Sequence, residues 1–212
     1  MLPLLLNGQV LLFGIILVAI IISLSLHEFG HAKAASLLGD QTAARQGRLT
    51  INPTAHIDPI GLLMVMMIGF GYAKPVPFNP RNVKQKWGGA AIAAAGPLMN
   101  LLIAIVAVNI LSWGLQSDAV ELNEAQITAL TILANINLLL MLFNLIPLGP
   151  LDGHYIMSWF LPSKAKYQYD NFNARYGTHV FLGLILLSLI GVPVFRFLMS
   201  FSAALVPYIT FI

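Results

Sequence analysis

The chain has 212 residues, 58% hydrophobic and 9% charged, where a soluble domain carries about a quarter charged residues. That composition excludes a soluble globular protein, and a net charge of +3 dispersed through separate loops argues orientation in a bilayer rather than a nucleic-acid surface. With no cysteine there is no disulfide framework and no thiolate, so any metal must be held by His, Asp, Glu or amide oxygens.

The first helix is expected from about Pro3 or Leu4 to Leu38, with Gly39 as its stop before Asp40. It lacks a basic leader region and reads as a retained span. Val10 to Leu26 carries no charge and runs into His27-Glu28-Phe29-Gly30-His31. On a helix this H-E-x-x-H run puts His27 and His31 on one face, where two imidazoles can hold one Zn²⁺ with Glu28 beside the metal's water as its base. Ionisable residues at the end of an apolar span are costly unless they pair, so the cluster is a functional hypothesis in its own right.

Residues 40–58 are polar and broken by Gly47, Pro53 and Pro59. They hold a short β-like run near residues 47–52, in which Leu49, Thr50 and Ile51 could pair with an extended peptide or simply connect. Gly61 to Gly71 is apolar but too short to cross and reads as a re-entrant segment. A second span runs from Trp87 to about Trp113 and opens on Gly88 to Gly96, small residues that let another helix approach closely. The loop after it carries Asp118, Glu121 and Glu124 and no base. A third span covers about Ile127 to Ile146 and ends in Asn144-Leu145-Ile146-Pro147-Leu148-Gly149-Pro150-Leu151-Asp152-Gly153, where irregular backbone presents Asp152. Asn109, Asn135 and Asn137 lie within spans as interhelical hydrogen-bonding candidates. Residues 161–177 read as a polar connection. The last apolar stretch, 178–212, is interrupted at Gly191-Val192-Pro193 and makes one kinked span with a tail, or a tight hairpin.

The fold class is therefore an all-α polytopic membrane protein of four to six transmembrane or re-entrant helices. It forms one domain over 1–212, with a catalytic core at about 8–160 and a C-terminal apolar segment at 178–212. Loops 32–58, 74–87 and 161–177 hold three, four and three Lys or Arg, and loop 114–126 holds none. The positive-inside rule puts the basic loops in the cytoplasm, so His27, His31 and Asp152 can meet near that side.

A catalytic zinc takes three protein ligands and a water. Ala34 and Leu37 stand where an extended motif would place Gly and a third His, and no Glu occurs between Glu28 and Glu121. Asp152 is the best remaining candidate, with Asp58, His56, His154 and His179 as competitors. His56 or His154 could instead donate to a developing oxyanion. The pieces suit metal-assisted hydrolysis of an amide, with Glu28 taking the proton of water and passing it to the leaving amine.

Three stretches, His27 to His31, Gly96-Pro97-Leu98-Met99-Asn100, and Asn144-Leu145-Ile146-Pro147 followed by Leu151-Asp152-Gly153, together resemble the site-2 protease family of intramembrane zinc metalloproteases. Gly47 to Pro53, His56 to Gly61 and Ala73 to Pro77 resemble its short prokaryotic members. The resemblance implies Zn²⁺ held by His27, His31 and Asp152, with Glu28 as acid/base. It also implies that Asn144 helps hold a transmembrane protein substrate, that Leu49 to Ile51 pairs with it, and that Asn100 packs beside or supports the ligands. His154 stands where members often have a small residue. The setting would be a prokaryotic cell membrane, with the site toward the cytoplasm and the substrate cut in regulated intramembrane proteolysis. The alternative class is a transporter or metal-permeation protein whose His and Asp residues line an ion path.

Overall fold

The computed structural model describes residues 1–69, 71–117 and 120–212. Among them the regular secondary structure is all helical, with no strand and one isolated antiparallel bridge, Ile57 to Ala73. Three helices are long and apolar enough to cross a membrane: α2 (Val10–Leu37), α5 (Gly88–Gln116) and α6 (Glu124–Asn144). The short helices are α1 (Leu2–Leu6), α3 (Thr42–Arg45), α4 (Pro59–Ile68), α7 (Asp152–Phe160), α8 (Ser163–Phe172), α9 (Thr178–Leu189) and α10 (Arg196–Ile209). An expected count of four to six spans is reached only by adding some of these.

Helix α5 is the centre of the bundle and packs on α2, α6, α7 and α10. Its composition explains why. Gly96, Asn100, Ala104 and Ala107 are buried, while Leu98, Leu102, Val106 and Ile110, four residues apart, form an exposed apolar stripe. A stripe of that spacing is one helix face, and on a membrane protein it is the face that lipid covers. The small face meets Ala134, Leu138, Met141 and Leu142 of α6, and Leu198 of α10 closes the same core.

Several expectations are corrected. The first helix does not run unbroken from Pro3: Asn7 to Gln9 separate α1 from α2, with Gly8 in the left-handed region at φ 74°. Gly39, at φ 103°, follows the end of α2 where a stop was expected. Residues 48–52 are not a strand, because Arg48 N–H closes a turn onto Ala43 O and Asn52 caps a 3₁₀ turn at Pro53–Ala55. Residues 161–177 are not a loop but α8 and a π turn at Asn173–Gly177 leading directly into α9. The last stretch is two short helices joined by a turn in which Gly191 has φ 95°.

Helix α4 is ten residues long, roughly 15 Å and half a hydrocarbon core. Asp58 caps it by accepting from Ile60 and Gly61 N–H, and Gly69 ends it at φ 77°. The chain then comes back to where it left: Ala73 pairs with Ile57, and Lys74 N–H donates to His56 O at 2.8 Å. The short segment thus returns as expected, with Phe70 outside the described residues. So is Asp118, which with Glu121 lies before α6, whose first residue is Glu124.

Two of the three mid-span asparagines join helices. Asn109 bonds Ile209 O and Phe211 N–H, both at 2.7 Å, and Asn137 reaches Asn100 and Ser23. Asn135 is exposed on α6.

Candidate metal centre

Helix α2 sets His27 and His31 one turn apart on one face, as the spacing requires. Their rings meet edge to face, with centroids 4.7 Å apart and planes at 83°. Each Nδ1 is engaged by α5: that of His31 lies 2.7 Å from Ile92 O and that of His27 lies 2.6 Å from Asn100 Oδ1. A main-chain carbonyl only accepts, so His31 carries its proton on Nδ1. The Asn100 orientation follows from its neighbours. Ser23 Oγ donates to Ala19 O and accepts from Asn137 Nδ2, and Asn137 Oδ1 accepts from Asn100 Nδ2 at 2.8 Å. Asn100 Oδ1 is left to accept from His27 Nδ1. Both Nε2 lone pairs therefore point inward, to positions 3.0 Å apart.

The third donor arrives from α7. After α6 the chain turns irregularly through residues 145–151, which are tied down by Asn173 Oδ1 on Gly149 N–H at 2.7 Å and by Tyr169 hydroxyl on Pro147 O at 2.8 Å. Asp152 is then the first residue of α7, a small correction to the expectation of irregular backbone there. Gly153 lies under the carbonyls of Leu145 and Ile146, against which any side chain would clash. Asp152 Oδ2 sits 3.2 Å from His27 Nε2 and 3.4 Å from His31 Nε2.

The donor set fits a zinc ion. Tetrahedral bonds of about 2.0–2.1 Å set ligand atoms roughly 3.3 Å apart, and the three separations here span 3.0–3.4 Å. Among the described residues Asp152 Oδ2 is buried without a hydrogen-bond donor, and two imidazole lone pairs facing a carboxylate oxygen at such range suit a cation between them. Among the described residues these three are the one such group. The α5 backbone admits them because residue 96 is glycine: a Cβ there would overlap His31 Nε2 and lie 2.7 Å from His27 Cε1. Gly30 serves α2 in the same way, since a Cβ on it would come within 2.7 Å of Ala95 O.

Glu28, next to His27, is buried, and its Oε2 accepts from Val76 N–H at 3.1 Å. The other candidates lie elsewhere. His56 is fully buried with Nε2 on Thr50 O at 2.7 Å, and Asp58 is the cap of α4. His154 stacks beside Tyr169 and Tyr155 with its Nδ1 unpartnered, and His179 is exposed on α9. The Asn144 amide donates to Leu140 O of its own helix at 3.0 Å. Leu49 and Thr50 are half-buried, and Ile51 is exposed. Ser23, Ile92 O and Val76 N–H, which orient the site, are not assigned that role by the sequence, because each is recruited across the fold.

Residues aligned over 80% of this chain are 37% identical to "Putative zinc metalloprotease YwhC" of Bacillus subtilis, covering 78% of that protein. The chain belongs to the site-2 protease family. Two members named "Putative zinc metalloprotease Rip2", from Mycolicibacterium smegmatis and Mycobacterium tuberculosis, are 28% and 26% identical over 67% of the chain, which spans 55% of their length. No family model and no solved structure matches. As a site-2 protease relative with three membrane-length apolar helices, the chain is a metalloprotease and an integral membrane protein, and Zn²⁺ is the metal its family implies. The transporter alternative finds no support among these relatives.

Proposed function

We propose that this protein is an intramembrane endopeptidase that hydrolyses peptide bonds in or near transmembrane segments of other proteins, as a step in regulated proteolysis. The observation that carries the reading is the convergence of His27, His31 and Asp152 with Glu28 beside them, at the end of an apolar helix. His27 lies 17 residues after Val10, about 26 Å along α2, inside a hydrocarbon core of about 30 Å.

In this proposal His27, His31 and Asp152 would hold a zinc ion, which would supply Lewis acidity toward the scissile carbonyl and the attacking water. Glu28 would take a proton from the attacking water on the carboxylate oxygen that Val76 does not occupy and return it to the departing amine as the amide bond breaks. Asn100 and Ile92 O fix the imidazole tautomers throughout, so neither ring turns away during the reaction. The substrate must arrive locally unwound, because a helical peptide hides its carbonyls in hydrogen bonds. Asn144 and residues Leu49 to Ile51 are the proposed contacts for that extended stretch, with Ile51 accessible on the surface. The basic loops at 32–58 and 74–87 favour a cytoplasmic orientation of this end, in a prokaryotic cell membrane.

The test is incubation of the purified protein with a panel of single-span substrates, with and without a chelator. Cleavage that stops on chelation and returns with zinc is expected; cleavage indifferent to the chelator would refute the reading.

A further inference from the structure

Arg48 is buried to 5% exposure and, among the described residues, makes no ion pair, although the charge of the Glu28 carboxylate is near enough to act on it. Its two terminal nitrogens donate instead to consecutive main-chain carbonyls, Pro75 O at 3.1 Å and Lys74 O at 2.5 Å, and its Nε is buried without a partner. Burying a guanidinium on two neutral acceptors costs free energy that a surface arginine would not incur, so the position calls for a reason. The reason lies one residue on. In Pro75-Val76-Pro77 the prolines have no N–H, so Val76 offers the only main-chain donor, and it goes to Glu28 Oε2.

The segment is fixed on both sides of that contact. Upstream, Ala73 pairs with Ile57, and Gly61 and Gly71 touch so closely that a Cβ on either would overlap main chain. Downstream, Asn79 N–H donates to Asp40 Oδ2 at 2.7 Å. Between these anchors, Arg48 is what holds the two carbonyls preceding Val76.

Resting on the proteolytic reading above, we propose that Arg48 is a positioning residue for hydrolysis: it clamps the Lys74 to Pro77 strap so that Val76 N–H holds the Glu28 carboxylate in place. Arg48 sets the placement of Glu28 through the strap and, although its charge also favours that carboxylate, touches no reacting atom. Lysine, a point donor without the fork, reaches one carbonyl better than two and restores the clamp only in part.

The experiment compares wild type with Arg48→Gln, Arg48→Lys and Val76→Pro for zinc per chain and for kcat and KM on a cleaved single-span substrate. In parallel, Val76→Cys is introduced into the otherwise cysteine-free chain, with and without Arg48→Gln, and its thiol labelling rate is measured. Arg48→Gln is expected to retain its zinc and keep KM within about threefold while kcat falls about 10- to 100-fold, the size of a small misplacement of a catalytic group. Arg48→Lys should recover part of the loss, Val76→Pro should match Arg48→Gln, and labelling should accelerate when Arg48 is removed. An unchanged kcat, a loss of zinc equal to the loss of rate, or an unchanged labelling rate would overturn the proposal. If Arg48→Gln does not fold, Val76→Pro, which leaves Arg48 in place, decides: a wild-type kcat overturns it. A wild type that cleaves nothing refutes the proteolytic reading itself, and the labelling comparison, which needs no substrate, then decides the clamp alone.

Discussion

Gly96 and His31 touch across the α2–α5 contact so closely that a single methyl on Gly96 would occupy the space of the His31 Nε2 atom. The metal group is thus set by a missing side chain on α5 as much as by the two histidines on α2. Gly96→Ala is expected to push the imidazoles apart and lower zinc affinity about 10- to 100-fold, the range typical of disturbed ligand support. Gly89→Ala, on the same helix with nothing within 4 Å of the added Cβ, should leave affinity unchanged. Competition with a chromogenic chelator measures both.

Asn100 is fully buried and is the link between His27 and the Ser23–Asn137 pair. Asn100→Ala removes an acceptor from His27 Nδ1 and a donor from Asn137 Oδ1, leaving two buried groups unsatisfied at roughly 1–3 kcal/mol each. The variant should unfold at lower temperature and bind zinc more weakly. Thermal unfolding of the metal-free and zinc-loaded forms, compared with wild type, separates the two effects.

The candidate metal ligands and Glu28 were more legible than the residues that orient them. His27, Glu28 and His31 stand within five positions, and Asp152 is the best remaining candidate for a third ligand, whose competitors Asp58 and His56 serve a helix cap and a loop closure in the structure. Val76 and Arg48 could not be read this way. Their partners lie 48 and 26–27 positions off, and a main-chain N–H has no residue type to betray it. The spans were legible because lipid demands long apolar runs, whereas α8 escaped notice: Ser163 to Phe172 is held by the Lys166–Asp170 pair and by Lys166 on Ser158, not by an apolar stripe. The break at Asn7 to Gln9 shows only as the short polar run Asn7-Gly8-Gln9 between two equally apolar stretches.

Asp40 ties the end of α2 to the loop before α5. Burial alone would raise its carboxyl, but hydrogen bonds from the Thr42 hydroxyl, Asn79 N–H, the Asn82 amide and Thr42 N–H outweigh it and hold the group at about 2. A carboxylate depressed from 3.8 to about 2 on folding contributes stability that is complete above pH 3.8 and lost as pH falls toward 2. Asp40 is fully buried, but in a shell of the polar groups it bonds, so the contribution is on the order of 1 kcal/mol. Asp40→Ala should lower the unfolding temperature at pH 7 and erase the difference from wild type near pH 2, as a pair of pH-dependent unfolding curves will show.

Glu28→Gln preserves the size of the side chain and removes its capacity to accept a proton. Zinc content should remain that of wild type while substrate cleavage falls about 10²- to 10⁴-fold, the usual range for a lost general base. Parallel metal analysis and single-turnover cleavage check this, and retention of more than a tenth of the activity would remove Glu28 from the mechanism.

The central claim is that one zinc ion is closed in by two imidazoles of α2 and a carboxylate that begins α7. X-ray absorption at the zinc edge, on wild type and Asp152→Ala, addresses it directly. The account predicts two imidazole nitrogens and carboxylate oxygen at about 2.0–2.1 Å in wild type, and loss of the carboxylate with much weaker binding in the variant. An Asp152→Ala protein with an unchanged zinc spectrum and unchanged affinity would contradict it.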